Sequence, residues 1–293
     1  ILITLGSQNA LYLLTRLLLS STTRIGVENP CFREAINTFL LADAEVVPHP
    51  VDEEGIVLNE RPCDYYYVTP GHQVPTGVTM SSARRRQLLE HAARHDAVII
   101  EDDYDSESNF TLNPLPALKA SDRSGRVVYV SSLSKALSPG LRLGFMVADP
   151  DLIDEARALR RLVYRHPPTN IQYQMAHFLA QGHYETHLRR YHYDSAQRWE
   201  RLHAALQRYL PSCRALAGSE HANAFWLQTP AQINTQQLTW RAAHAGVLIE
   251  PGARHFLSAA PPDNYFRMGF HTINPDAIAQ GVEVLRGQLE QMG

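Results

Sequence analysis

Apolar positions along the first 150 residues follow two alternating patterns, which predict strands and helices in turn. Short apolar runs between turn residues are typical of buried strands, and apolar residues spaced three and four apart are typical of amphipathic helices. The predicted strands are residues 1–5, 24–27, 45–47, 65–69, 97–100, 126–131 and 141–148. The predicted helices extend from the Gly6-Ser7-Gln8 turn to residue 19, and over residues 31–42 and 81–95. On the last of these helices, Arg84, Arg85 and Arg86 are expected on the solvated side. Buried strands separated by helices predict an α/β fold with a mostly parallel central sheet and flanking helices.

The pattern changes after Pro150, where helices come to dominate. Helices are predicted over residues 151–164, 171–181 and 184–209, the last of them long and polar. Strands near residues 224–228, 247–250 and 265–270, with a final helix from Pro275, predict a small α+β unit. We therefore expect a large domain at residues 1–180, followed by an interdomain helix and a smaller C-terminal α+β domain at residues 181–293.

Composition limits the class of protein. Of the 293 residues, 44% are hydrophobic and 19% are charged, which is typical of a globular protein, and no apolar run is long enough to span a membrane. The net charge of −3 gives the chain no overall attraction to nucleic acid. Three scattered cysteines (Cys31, Cys63 and Cys213) and the absence of an H-E-x-x-H or similar motif among the 14 histidines predict neither disulfides nor a metal site. We expect a cytoplasmic protein and, without an initiator methionine, a piece of a longer polypeptide.

Lysine is almost absent from the chain, which has 25 arginines but only Lys119 and Lys135. Arginine can carry surface charge as lysine does, but it cannot replace an amine that must form an imine with a carbonyl. Lys135 follows the hydroxyl-rich run Ser131-Ser132-Leu133-Ser134, and Arg142 lies seven positions further on. No motif surrounds Lys119. Lys135 is therefore the candidate nucleophile.

A phosphate site is predicted at the first helix, because Gly6-Ser7-Gln8 opens that helix directly after a strand. Backbone N–H groups at a helix N-terminus bind anions, and ligands of open α/β sheets bind beyond the carboxyl ends of the strands. Ser132, Ser134 and Arg142 would add two hydroxyl donors and a guanidinium. Two simpler interpretations remain open: Ser7 as a plain helix cap, and Arg142 as the partner of a nearby carboxylate.

Further segments place polar or aromatic groups at strand ends. Glu101-Asp102-Asp103-Tyr104 follows one buried strand, and the proline- and glycine-rich residues 69–77 follow another. Phe32 comes after a third strand and is either a ring-stacking residue or part of the core. Arg267 stands within an apolar strand, where a buried guanidinium needs an anion. With the phosphate site and Lys135, these groups form the set that pyridoxal 5′-phosphate and an amino-acid carboxylate require.

On these residues, the sequence resembles the fold-type-I aminotransferases and, more closely, the aminotransferase-like effector domain of the MocR-type regulators of the GntR family. The resemblance covers essentially the whole chain and is carried by Gly6-Ser7-Gln8, residues 69–80, residues 100–107 and residues 132–144. It implies a fold-type-I aminotransferase-like fold, a homodimer and pyridoxal 5′-phosphate as the cofactor.

The resemblance also implies a role for each residue around the cofactor ring. Lys135 would form the internal aldimine, and Asp102, with Asp103 as the competing candidate, would pair with the pyridine nitrogen. Tyr104 would bond the phenolic oxygen of the cofactor, and Phe32 would stack on the ring. Arg267 would bind the carboxylate of an amino-acid ligand.

For the phosphate, the resemblance implies a larger set of residues. These are Ser7, Gln8, Ser132, Ser134 and Arg142. The loop at residues 69–77 departs from the aminotransferases, which more often have Asn-Pro-x-Asn-Pro-Thr-Gly there, and it looks like the regulators instead. The contact that the missing asparagine makes with the phenolic oxygen then passes to His72 or Gln73, or it is left unmade beside Val74.

The function implied by the resemblance is that of an effector domain of a transcription regulator, which senses an amino compound or the cofactor itself. DNA would be bound only through an N-terminal winged-helix module that this chain does not contain. The alternative is an active class I/II transaminase acting on amino and 2-oxo acids. The two share every cofactor residue, so turnover stays open. Ser132-Leu133-Ser134-Lys135 also matches the S-x-x-K of acyl-serine hydrolases, but the S-D-N and K-T-G motifs of that class are missing.

Overall fold

The computed structural model describes residues 1–59, 61–105, 107, 115–133, 135–215 and 224–292. Within them, one large mixed sheet carries the first half of the chain. Its strands are β1 (Leu2–Thr4), β2 (Arg24–Asn29), β3 (Glu45–Asp52), β4 (Gly55–Ile56), β5 (Tyr65–Val68), β6 (Val98–Asp103), β7 (Val127–Ser132) and β8 (Gly144–Val147). Their order is β1-β8-β7-β6-β5-β2-β3-β4. The interior pairs are parallel, whereas β1, β8 and β4 are antiparallel to their neighbours, so the prediction of a mostly parallel sheet is confirmed.

Helices cover the faces of this sheet and continue beyond it. They are α1 (Ser7–Leu18), α2 (Arg33–Leu40), α3 (Ser82–Arg94), α4 (Leu118–Ser121), α5 (Pro150–Val163), α6 (Thr169–Ala180), α7 (His183–Tyr209), α8 (Thr235–His244) and α9 (Ile278–Glu290). On one face, Leu11 and Phe39 from α1 and α2 pack with Ile100 in one apolar core. On the other, Leu88 of α3 packs with Ile99. Neighbouring residues of β6 therefore serve opposite cores, which is why this strand is apolar at consecutive positions.

One expectation for α3 is wrong. The sequence predicts Arg84, Arg85 and Arg86 on a solvated side of this helix, but Arg85 is buried. Its guanidinium donates to the backbone carbonyls of Met80, Pro116 and Pro70 at 2.8–2.9 Å. A buried guanidinium whose donors meet carbonyl oxygens avoids the cost of an unpaired polar group, so this arginine joins the loop before α3 to the segment before α4.

A second, antiparallel sheet lies in the C-terminal part, as the expected α+β unit requires. Its strands are β9 (Arg214–Ala215), β10 (Ala224–Gln228), β11 (Glu250–Pro251) and β12 (Tyr265–Gly269), in the order β11-β12-β10-β9. Phe225 and Phe266 pack with Leu206 of α7, Leu238 of α8 and Leu285 of α9. Helix α8 was not predicted, and the domain boundary near residue 180 stays a prediction.

The segment at residues 252–257, which follows β11, is fastened to the loop at the carboxyl end of β2. The backbone N–H of Cys31 donates to the carbonyl of His255 at 2.9 Å, and His255 Nδ1 donates to the carbonyl of Cys31 at 2.9 Å. The backbone N–H of Leu257 also donates to Asn29 Oδ1 at 3.0 Å. We call this set of contacts the clamp, because it joins the small sheet to the large one beside α2. Among the described residues, no helix has both the length and the apolar character needed to cross a membrane.

Candidate functional site

A cavity of about 830 Å³ opens beyond the carboxyl ends of β5, β6 and β7 and is closed on its other side by the small sheet and α7. The residues singled out in the sequence that line it are Ser7, Gln8, Phe32, Asp102, Tyr104, Ser132, Lys135, Arg142 and Arg267. Parallel strands bring their carboxyl ends to one edge, which explains how segments more than 100 residues apart meet here. Ser134, also singled out, lies outside the described residues.

One end of the cavity is formed by the start of α1 and by Arg142. Gly6 precedes the helix with φ 82°, and no side chain caps it, so the plain-cap interpretation of Ser7 does not apply. The positive φ of Gly6 favours glycine, and a Cβ atom there would lie 3.0 Å from Arg142 Nη2, at the end of a flexible side chain. Arg142 itself has φ 46°, and its Nη2 donates to the carbonyl of Leu5 at 3.2 Å rather than to a carboxylate. The arrangement combines free helix N–H groups with a guanidinium, which suits a phosphate.

Asp102, at the end of β6, is the buried acid of the cavity, with 2% of its surface exposed. Its Oδ2 accepts a hydrogen bond from the Tyr67 hydroxyl at 2.9 Å, while its buried Oδ1 accepts none from the described residues. Burial raises the pKa of Asp102 to about 7, against the opposing effects of the Tyr67 hydrogen bond and the Lys135 charge. A buried oxygen without a donor is costly, so this atom is suited to an N–H group of a bound molecule.

Asp103, the competing acid, does not line this cavity. Its Oδ2 accepts from the Tyr129 hydroxyl at 2.9 Å, and its backbone carbonyl accepts from the Ser131 hydroxyl. Successive side chains of a strand point to opposite faces of a sheet. The alternation of side chains along β6 therefore places Asp102, and not Asp103, at the cavity.

Lys135 and Tyr104 lie together on the cavity wall, with Lys135 Nζ 5.0 Å from the centre of the Tyr104 ring. The Tyr104 hydroxyl donates to the carbonyl of His72 at 3.1 Å. Solvent reaches Lys135 through the cavity, yet desolvation by the surrounding protein lowers the pKa of its amine. The charge of Arg267 acts in the same direction, and the acids nearby oppose it. A lowered pKa leaves more of the amine in its neutral, nucleophilic form.

His72 is not brought to the cavity. Its ring is buried, with Nδ1 3.4 Å from Asp105 Oδ2, and Val74 of the same loop lines the cavity instead. Gln73 is also occupied in holding the loop, because its Nε2 donates to the carbonyls of Pro30 and Val74 at 2.7 Å each. Phe32 lies at the cavity while also packing against the large core, so both interpretations of it hold in part.

Several cavity residues carry no sequence motif and were missed. They are Tyr67, His187, Tyr191, Glu250, Arg254, His255 and His271. His187 and Tyr191 are four residues apart on α7, and this spacing is the signal that could have placed them on one helix face. The rings of Tyr191 and His271 are stacked at 5.5 Å, and burial lowers the pKa of His271 to about 4, which keeps its imidazole neutral.

An ion-pair cluster around Glu250 forms the wall opposite Asp102. Glu250 Oε2 is 3.4 Å from Arg267 Nη1, and Oε1 is 3.3 Å from Arg254 Nη1 and 3.5 Å from His255 Nε2. The contact with His255 and the charges of both arginines hold the pKa of Glu250 at about 2. Among the described residues, no group of three or more histidines, cysteines or acids is placed to hold a metal ion.

Comparison with known proteins gives three findings. The model of the family "Aminotransferase class I and II" matches residues 1–284. The chain is 38% identical to the HTH-type transcriptional regulator TauR of Rhodobacter capsulatus over 286 residues, and 34% identical to the probable rhizopine catabolism regulatory protein MocR of Rhizobium meliloti over 285 residues. Each alignment covers 96% of this chain but only 58% and 57% of the relative, so the chain spans little more than half of their length.

Among solved structures, the chain is similar to LysN, the α-aminoadipate aminotransferase of Thermus thermophilus, complexed with N-(5′-phosphopyridoxyl)-L-leucine. The TM-score is 0.92 at 28% identity, over 99% of this chain and 77% of that one. These comparisons confirm the fold-type-I aminotransferase-like fold and the resemblance to MocR-type regulators.

Proposed function

Because this chain belongs to the aminotransferase class I and II family, we propose that it binds pyridoxal 5′-phosphate and senses an amino compound, or the cofactor itself, as the effector domain of a transcription regulator. Its similarity to TauR and MocR supports a role in transcription regulation. The alignments cover little more than half of TauR and MocR, which supports a DNA-binding module elsewhere in the whole protein. A homodimer and a cytoplasmic location belong to the same proposal.

The observation that best supports binding of this cofactor is that the buried Oδ1 of Asp102 lies in the same cavity as the Lys135 amine. A protonated pyridine nitrogen would supply the donor that no described residue gives to this oxygen, and its positive charge favours the ionised carboxylate despite burial. The hydroxyl of Tyr67 holds the other oxygen and so fixes the plane of the carboxylate. The acid of the cavity therefore fits the ring of the cofactor.

The other end of the cavity fits the phosphate of the cofactor. Ser7, Gln8 and Ser132 would hold it together with Arg142, since they line the cavity where α1 begins. Ser134 remains a candidate for the same role from the sequence alone. Phe32 and Val74 line the space between the two ends, where a planar ring has apolar contacts.

When bound, pyridoxal 5′-phosphate supplies a carbonyl that condenses with primary amines and a ring that withdraws electrons. Lys135 brings the amine, a larger fraction of which is neutral because its pKa is lowered, and the same amine can take up or return a proton beside the reacting carbon. Arg267 would bind the acidic group of the ligand. His72 has no place in this proposal, because its ring is turned to Asp105.

The alternative is a working aminotransferase, and the similarity to LysN favours it. The two proposals share the cavity and differ in the outcome of ligand binding. Amino acids mixed with the cofactor-loaded protein and a 2-oxo acid should change the cofactor spectrum without sustained product formation if the chain is a sensor. Steady turnover, measured as new amino acid formed over many cycles, would show that the chain is an aminotransferase and not only a sensor.

The regulator itself has a separate test. The gene that encodes the whole protein should also encode a basic N-terminal module of the winged-helix type, and the whole protein should bind DNA in a manner that the amino ligand alters. DNA binding is measured by a shift in electrophoretic mobility with and without ligand. A gene that encodes no such module would contradict the proposal that the whole protein is a transcription regulator.

A further inference from the structure

The pair Glu250 and Arg267 lies where two cavities meet. The two residues stand directly opposite each other in the antiparallel pair β11–β12. They line both the larger cavity and a second one of about 400 Å³, and Lys135 also lines both. The second cavity continues past Leu248. A ligand at the Lys135 site that extends into the second cavity therefore passes this pair.

The carboxylate of Glu250 is held in place from three sides. Besides Arg267, it meets Arg254 and the ring of His255, which is buried and donates from its other nitrogen to the carbonyl of Cys31. Arg254 in turn donates to Glu34 Oε1 at 3.1 Å. These contacts keep Glu250 ionised at physiological pH, as its pKa of about 2 indicates, and they prevent it from turning away from the cavity.

Charge along this wall is balanced before any ligand arrives. The guanidinium groups of Arg267 and Arg254 face the carboxylates of Glu250 and Glu34. One acidic group of a ligand can share Arg267 with Glu250, because a guanidinium presents donors on two edges. A second acidic group beside Arg267 would come close to the carboxylate of Glu250, and like charges in a partly desolvated site repel.

Resting on the proposed function, we propose that Glu250 determines the charge of the ligand. The site takes amino compounds with a single anionic group and a neutral or cationic remainder, and it rejects those with two anionic groups. Arg267 provides the attraction, and Glu250 provides the repulsive element that discriminates between partners of similar shape.

Matched pairs of amino acids isolate this effect, since glutamine and glutamate, like asparagine and aspartate, differ by one charge at nearly constant shape. The cofactor-loaded protein is titrated with each, and the change in cofactor absorbance gives the affinity. We expect the neutral member of each pair to bind at least about tenfold more tightly, the order of magnitude of one like-charge repulsion at this range. In Glu250→Gln the ratio should fall to within about threefold.

Two further variants separate charge from structure. Glu250→Asp retains the carboxylate and should retain the preference, whereas a merely structural role of Glu250 would weaken both members of a pair equally and leave their ratio unchanged. Glu283→Gln is the matched control, because Glu283 pairs with Arg286 on α9, away from both cavities.

The outcomes distinguish this inference from the function on which it rests. A protein that does not bind pyridoxal 5′-phosphate would overturn the proposed function. A protein that binds the cofactor but shows equal affinity for both members of each pair, an unchanged ratio in Glu250→Gln, or no response to any of the four amino acids would overturn the role of Glu250 alone.

Discussion

Two of the carboxyl groups that line the cavity, Asp102 and Glu250, have very different pKa values. On the wall formed by the large sheet, burial raises the pKa of Asp102 to about 7. On the wall formed by the small sheet, contacts with His255 and two arginines hold the pKa of Glu250 at about 2. The first acid has one neutral donor and a buried oxygen without a partner among the described residues, whereas the second lies 3.3–3.4 Å from two guanidinium groups. The large-sheet wall is thus prepared for one cationic group, and the small-sheet wall is already charge-balanced.

This difference indicates how the two walls divide the work. A cofactor that stays in place is bound more tightly by rigidly held groups, and the large-sheet wall supplies such groups from strand ends and the start of α1. A ligand that comes and goes must be admitted or refused, and paired charges do this because an incoming charge has to compete with them. Removing single side chains from the large-sheet wall and its surroundings tests this division.

The largest effect is expected from Lys135→Ala. Without this amine, covalent attachment of the cofactor should be lost completely, together with its absorbance band and its fixation by borohydride reduction. Lys119→Ala is the matched control, since the other lysine of the chain pairs with Asp122 and does not line the cavity. A Lys135→Ala protein that still fixes the cofactor on borohydride treatment would contradict the assignment.

Next in size is Asp102→Asn, which removes the negative charge that faces the ring nitrogen. A hydrogen bond to a charged group contributes up to about 3 kcal/mol, so affinity for the cofactor should fall on the order of a hundredfold. Equilibrium titration with pyridoxal 5′-phosphate measures it. Asp103→Asn should have a much smaller effect, and the reverse order would assign the ring nitrogen to Asp103.

Glu28, behind the large-sheet wall, gives a prediction on pH. Burial raises its pKa to about 7, although hydrogen bonds from Thr69 and Gln73 lower it. A carboxyl whose pKa is higher in the folded than in the unfolded chain binds more protons when folded. Its contribution to the free energy of unfolding is therefore present at low pH and is lost as the pH rises to about 7. From pH 5.5 to 7 the loss should be about 2 kcal/mol.

Urea unfolding at the two pH values, without added cofactor, measures this loss. Glu28→Gln should remove about 2 kcal/mol of the difference between pH 5.5 and 7, while the exposed Glu53→Gln should leave it unchanged. The same dependence on pH in Glu28→Gln as in the unaltered protein would show that Glu28 does not carry it.

The smallest effect is expected from Tyr67→Phe. This change removes the neutral donor to Asp102 Oδ2 and leaves the charge of Asp102 in place, at a cost of about 1 kcal/mol, or roughly fivefold in cofactor affinity. The same titration measures it. A loss as large as that in Asp102→Asn would mean that positioning by Tyr67, rather than charge, dominates at this wall.

The sequence alone predicts much of the large-sheet wall, because its groups follow directly on buried strands. Gly6-Ser7-Gln8, Asp102 and Lys135 all occupy strand ends, and parallel pairing brings strand ends together. The strand predicted at residues 224–228 has the same bounds in the structure. Local sequence patterns are therefore enough to predict which residues lie at the ends of parallel strands.

The small-sheet wall could not be predicted in this way. The strand expected at residues 247–250 is the two-residue β11, and only its register with β12 sets Glu250 against Arg267. Helix α8 buries little more than Leu238 and Ala242, so its apolar periodicity is weak. Arg85 is buried because the carbonyls of Pro70 and Pro116, 15 and 31 residues away, meet its guanidinium together with that of Met80. In each case the decisive partner lies far along the chain and leaves no local pattern.

The clamp between residues 252–257 and the loop beside α2 has a mechanical consequence. It fastens the small sheet at the β11 edge, so any turning of the sheet about this edge would leave the β11 side nearly in place. Glu250 and Arg267 lie close to this axis and would travel little. β9, at the opposite edge of the sheet, has the longest lever arm, so a small rearrangement around a ligand would be magnified there into the largest displacement.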